Sequence, residues 1–97
     1  MDHTQILKIS DKYAEILQSK GAKPQFCDTS LNVNPGDPCI YDHCLFMCGI
    51  IKEFAMAGDS LKAIRWVCFI QGVLWNSGLA SIDSMREDNR LALGKST

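Results

Sequence analysis

Two long apolar segments follow one another with almost nothing between them, and this limits the fold more than any other feature of the chain. In residues 38–57, Ile40, Cys44, Phe46, Met47, Cys48, Ile50, Ile51, Phe54 and Ala55 cover three quarters of a helical circumference. Only the arc with Asp42, Lys52 and Glu53 is clearly wet. In residues 60–77, Ala63, Ile64, Trp66, Val67, Ile70, Val73, Leu74 and Trp75 cover most of the surface. Lys62, Arg65, Phe69, Gly72 and Asn76 form a narrow remaining stripe at helical spacing. A helix apolar over so much of its girth needs neighbours on more than one side. Gly58 ends the first segment, and Asp59 or Ser60 caps the second. So short a turn predicts an antiparallel helical hairpin.

The flanking segments supply partners. Residues 4–20 place Ile6, Ile9, Tyr13, Ile16 and Leu17 on one helical face, with Leu7 and Ala14 at its margin and Lys8, Asp11, Lys12 and Glu15 opposite. Gly21 is a natural stop, because glycine takes the left-handed conformation at no steric cost. Ser81 caps a short helix through Arg90, on which Ile82, Met85 and Asn89 share a stripe, and residues 91–97 read as a frayed tail. Residues 21–37 have no periodicity and form a loop far longer than the usual handful of residues, which marks a linker or a functional loop. Asp37-Pro38 is a strong helix start, since Asp caps free N–H groups and Pro at the first position has none to waste. The expected fold is all-α: one small four-helix, bundle-like domain over residues 1–97, with a central antiparallel hairpin and one long Pro-containing loop.

Composition narrows the function. Ninety-seven residues make one domain, and 46% hydrophobic residues suffice for a core. Net charge is −1 with alternating signs, so no basic face suited to phosphates stands out, and direct nucleic-acid binding is not expected. The charged amphipathic start does not read as a signal peptide, and the uncharged stretch 66–82 is too short and polar to span a membrane. Five cysteines, 27, 39, 44, 48 and 68, are an odd number, three of them on one helix, which points to free thiols in a reducing cytoplasm. Cys27, Cys39, Cys44 and Cys48 with His43 could serve a metal or redox site, but no C-x2-C pair is present and Cys44 and Cys48 align with the apolar face. His43 and Cys44, adjacent on a helix, point about 100° apart and do not make a nucleophile–base pair. No phosphate loop, carboxylate dyad or other catalytic constellation is present, so the chain is not expected to be an enzyme or to hold a cofactor.

Several polar residues interrupt apolar faces. Gln71 and Asn89 read as structural amides hydrogen-bonded to neighbouring backbone, because an unpaired buried amide costs about 1–3 kcal/mol. Phe69, beside Lys62, Arg65 and Asn76, has two readings: an interface anchor, or a ring covered by the 22–36 loop. The expected partner-binding residues are Lys62, Arg65, Phe69 and Asn76 with Pro24, Phe26 and Pro35 of the loop. The X-Pro bonds at Pro24, Pro35 and Pro38 would also suit a prolyl isomerase binding at the 23–38 segment.

Residues 65–90, RWVCFIQGVLWNSGLASIDSMREDNR, resemble a widespread type of small bacteriophage accessory protein. Such proteins carry a pattern matched by Arg65, Trp66, Phe69, Gln71, Gly72, Trp75, Gly78, Ile82, Arg86 and Asn89, with Val67-Cys68 where many members have Leu-Gly. In size and arrangement the chain is most similar to the anti-RecBCD accessory proteins of Salmonella temperate phages. That resemblance implies a protein of the host bacterial cytoplasm that binds the RecBCD helicase–nuclease through RecC. It would inhibit or redirect the nuclease, favouring phage recombination and protecting phage DNA ends. The alternatives are a small helical nucleic-acid-binding protein or a metal or redox protein.

Overall fold

The computed structural model describes residues 3–26 and 38–92. Four helices follow in order: α1 (His3–Ser19), α2 (Pro38–Met56), α3 (Ser60–Asn76) and α4 (Ile82–Ala92). There is no strand among the described residues, so the fold is the expected small all-α bundle. The loop over 27–37, with Cys27, Pro35 and the Asp37 cap, and the tail at 93–97 lie outside the described residues.

The sequence sets the helix ends through local chemistry. Gly21, Gly58 and Gly78 all have positive φ. At Gly58, φ is 84°, and the chain closes a Schellman turn: the Gly58 N–H donates to the Ala55 carbonyl (3.2 Å) and the Asp59 N–H to the Phe54 carbonyl (2.9 Å). The Asp59 carboxylate then accepts from the Lys62 N–H at 3.1 Å, capping α3 within one residue of the end of that turn. Ser81 caps α4 in the same way, its Oγ accepting from the Ser84 N–H at 3.1 Å.

The core forms where α1 lies across the α2–α3 hairpin. Ile6, Ile9, Tyr13 and Leu17 of α1 meet Cys44, Cys48, Ile51 and Ala55 of α2 and Ala63, Val67, Ile70 and Leu74 of α3. Ser10 is buried among them, its hydroxyl donating to the Cys48 carbonyl at 2.8 Å. That bond satisfies a hydroxyl buried between α1 and α2.

α4 is attached differently. Of its apolar stripe Met85 is buried, but Ile82 is exposed. What fixes it is a chain of polar side chains running through the bundle. Lys12 donates to Asp88 at 3.0 Å and to Ser84 at 3.0 Å, and the Tyr13 hydroxyl donates to Asp88 at 2.8 Å. Gln71 Nε2 donates to that hydroxyl at 2.9 Å and to Asn89 Oδ1 at 2.7 Å, and Asn89 Nδ2 returns a bond to Gln71 Oε1 at 3.2 Å. Gln71 and Asn89 are therefore structural, but they pair with each other and with Tyr13 rather than with backbone. No buried side-chain nitrogen or oxygen among the described residues lacks a partner.

Candidate docking surface

α3 buries only one side. Ala63, Val67, Ile70, Gln71 and Leu74 face the core, while Leu61, Lys62, Arg65, Cys68, Phe69, Gly72, Trp75 and Asn76 are exposed. At about 100° per residue these exposed positions share one continuous arc of roughly 140°. Leu61, Phe69 and Trp75 are 60%, 54% and 55% exposed. The expected burial of Trp75 is thus corrected. It lies a little too far round the helix to reach α1 or α2, although its composition reads as core.

Four of the expected binding residues, Lys62, Arg65, Phe69 and Asn76, share this arc. Lys62 is bent toward α2, its Nζ 4.8 Å from the centroid of the Phe54 ring. Phe54 in turn meets Trp66 edge-on at 5.2 Å. Phe54 is the last of a half-buried row on α2 (His43, Phe46, Ile50, Phe54) spaced three or four residues apart. Phe26, 63% exposed, sits at the far end of that row, edge-on to His43 (5.5 Å) and to Phe46 (5.8 Å).

The segment 22–26 is held there by Asp42. The Lys23 N–H donates to the Asp42 carboxylate at 3.0 Å and the Gln25 N–H to the Asp42 carbonyl at 3.4 Å. Pro24 lies exposed between them, and Pro35 lies outside the described residues. The described part of the loop therefore packs on α2, and Phe69 is not covered by it. The α3 arc and the Phe26 end are separate places joined by the α2 row.

The pattern over 65–90 divides into residues that hold the fold and residues on the surface. Gln71 and Asn89 hold α4, Gly78 (φ 73°) turns the chain, and Trp66 packs on Phe54. Arg65, Phe69, Gly72, Trp75, Ile82 and Arg86 have no such duty and are all exposed.

The cysteines fall into three environments. Cys44 and Cys48 are buried free thiols, as the apolar face suggests, and Cys68 is an exposed free thiol on the α3 arc. Cys39 is disulfide-bonded, with its partner outside the described residues, which corrects the expectation that every thiol is free. Among the described residues no three His, Cys, Asp or Glu side chains come together as metal ligands.

Burial pushes the Cys44 thiol up to about 12, with Cys48 adding to the effect. Burial likewise pushes Cys48 up to about 11, against a lowering contribution from the Ser10 hydroxyl. The folded chain therefore holds these protons more tightly than the unfolded one, in which a thiol titrates near 9. Stability is full below about pH 9 and is lost as pH rises toward the folded values, by at most about 1.4 kcal/mol per pH unit for each thiol. Thermal melts should be level up to about pH 8 and fall above about pH 9, less steeply in a Cys44→Ala, Cys48→Ala variant. An equal slope in variant and parent would contradict this.

Comparison with protein-family models, with curated proteins and with solved structures finds no match to this chain. No helix among the described residues is long and apolar enough to cross a membrane.

Proposed function

We propose that this chain is a phage-encoded modulator of a host protein complex, that it works by docking rather than by catalysis, and that its target is RecBCD, reached through RecC in the bacterial cytoplasm. The observation that carries the reading is the exposed arc of α3. Arg65, Phe69 and Trp75 stand together on a rigid helix, and aromatic residues with arginine are the side chains that dominate interface energetics. The target itself rests on the resemblance of residues 65–90, whose exposed members lie on this arc and on α4.

The charge distribution favours a protein partner over nucleic acid. Lys12, Lys52 and Arg90 are engaged by Asp88, Asp11 and Glu87, and so do not form a row for phosphates. Binding to purified RecBCD, and to RecC alone, tests the assignment. Retention of the chain by the complex and by RecC is expected, and no retention by either would remove RecBCD as the target.

The segment at Pro24 offers a second contact. It is exposed, non-helical and tethered to α2 by the Asp42 bonds, which suits recognition of an X-Pro bond by a host prolyl isomerase. Titration of such an isomerase into isotopically labelled chain should shift the amide signals of residues 22–26. Signals that stay in place at saturating isomerase would eliminate this contact.

A further inference from the structure

We infer that α4 is a releasable strap: it leaves the folded α1–α3 core as a unit, pivoting at residues 80–81, and so uncovers Gln71 beside the exposed arc of α3. The strap borders the proposed docking face, but its release is measured without any partner and stands or falls apart from that reading.

The core does not draw on α4. Among the described residues the continuous apolar core is made by α1, α2 and α3. Of the α4 side chains at 82–90, Met85 and Asp88 are buried, Met85 lies outside that core, and Ile82 is exposed. Apolar side chains returned to water gain nothing in exchange for their lost contacts, and burial of this kind locks α1, α2 and α3 to one another.

The attachment of α4 is of the other sort. Asp88 accepts from Lys12 and Tyr13, and Asn89 exchanges two bonds with Gln71. Water takes each of these positions once α4 leaves, so release trades one set of hydrogen bonds for another. Lys12 and Asp88 also regain full hydration as ions. Opening at α4 therefore needs far less free energy than opening a helix of the core, which is the condition for a separate cooperative unit. Its 11 residues are too few for a stable lone helix in water, so the released segment unwinds.

The pivot follows from the same contrast. The Leu79 N–H donates to the Leu74 carbonyl at 2.8 Å, and Leu79 and Ala80 pack half-buried on the core, so the chain up to residue 80 stays with α3. Ser81 is exposed, and its cap bond runs to Ser84 within α4 itself.

What the strap covers has a definite place. Gln71 is buried and stands one helical turn before Trp75, which forms an edge of the exposed arc. Release widens the arc from Trp75 to Gln71. It also brings water to the Gln71 amide and the Tyr13 hydroxyl, which lie 2.9 Å apart.

Hydrogen exchange of the purified full chain, followed amide by amide, tests this. The amides of residues 86–90 should be protected alike, and at least about tenfold less than those of Ile9, Val67 and Ile70 in the core. Asp88→Ala with Asn89→Ala should leave the strap off. The amides of 86–90 then exchange at the rate of an unfolded chain, while those of Ile9, Val67 and Ile70 stay protected. Equal protection of α4 and the core in the parent would overturn the inference, because the four helices would then open together. Protection at 86–90 that survives the double variant would do the same, since the polar bonds would not be what holds the strap. So would unfolding of the whole chain in that variant, because α4 would then be part of what holds the core.

Discussion

Tyr13→Ala should lower the melting temperature by tens of degrees. Its ring is fully buried at the centre of α1, and removing such an aromatic costs about 3–5 kcal/mol. The hydroxyl is also the link between Asp88 and Gln71, and each buried partner left without it costs a further ~1–3 kcal/mol. Against a total stability of about 5–15 kcal/mol for a domain of this kind, the sum is large enough to leave much of the chain unfolded. Tyr13→Phe separates the two contributions. It keeps the ring and should cost about 2 kcal/mol, roughly 10 °C in a domain of this size. Circular dichroism melts of both variants provide the check. If Tyr13→Phe melts with the parent, the polar chain through the bundle is not what holds α4.

The second large effect concerns binding rather than stability. Arg65→Ala with Phe69→Ala should weaken the proposed binding to RecBCD at least about a hundredfold, because anchors of this type contribute about 2 kcal/mol or more apiece. The same pair should leave the fold intact, since exposed positions away from caps and core usually shift stability by less than ~0.5 kcal/mol. An exposed control such as Lys8→Ala, on α1, should change neither property. Loss of binding equally in the control would mean that the contact is diffuse electrostatics, not the α3 arc.

Much of the fold could be read from the chain because its punctuation is local. Gly21, Gly58 and Gly78 end helices where only a left-handed residue closes the turn, and Asp59 and Ser81 start the next ones. The helix limits consequently fall within two residues of those expected. That Lys62, Arg65, Phe69 and Asn76 share one exposed stripe of α3 was legible for a similar reason: they recur at helical spacing, and that spacing survives folding.

What was not legible depends on contacts between distant segments. Asp88 reads as a solvent-facing carboxylate until Lys12 and Tyr13 arrive from the other end of the chain. Its position three residues after Met85 was the available signal, since that spacing puts both on one face. Ser10 is small enough to be buried, but only the Cys48 carbonyl across the helix pair makes its burial favourable. Trp75 shows the reverse failure: its chemistry says core, and its place round α3 leaves it outside. The disulfide at Cys39 has no local signature at all, because odd cysteine counts and clustering on one helix are statistics of composition and not of distance.

These two kinds of residue also explain why the arc is available. With α1 and α4 in place, Met56, Leu61, Phe69 and Trp75 of the α2–α3 hairpin remain exposed. α4 attaches beside α1 through polar side chains, with Met85 a buried apolar anchor, while Leu61, Phe69 and Trp75 of α3 stay exposed. An exposed apolar helix face in a small domain is a liability unless something occupies it.

The most direct test is a titration of the full chain against purified RecBCD, run with the parent and with the Arg65→Ala, Phe69→Ala variant after both are shown to melt alike. Saturable binding by the parent, at least about a hundredfold weaker in the variant, is the expected result. Equal binding by both would contradict docking through α3, and no binding by the parent would contradict the proposed target.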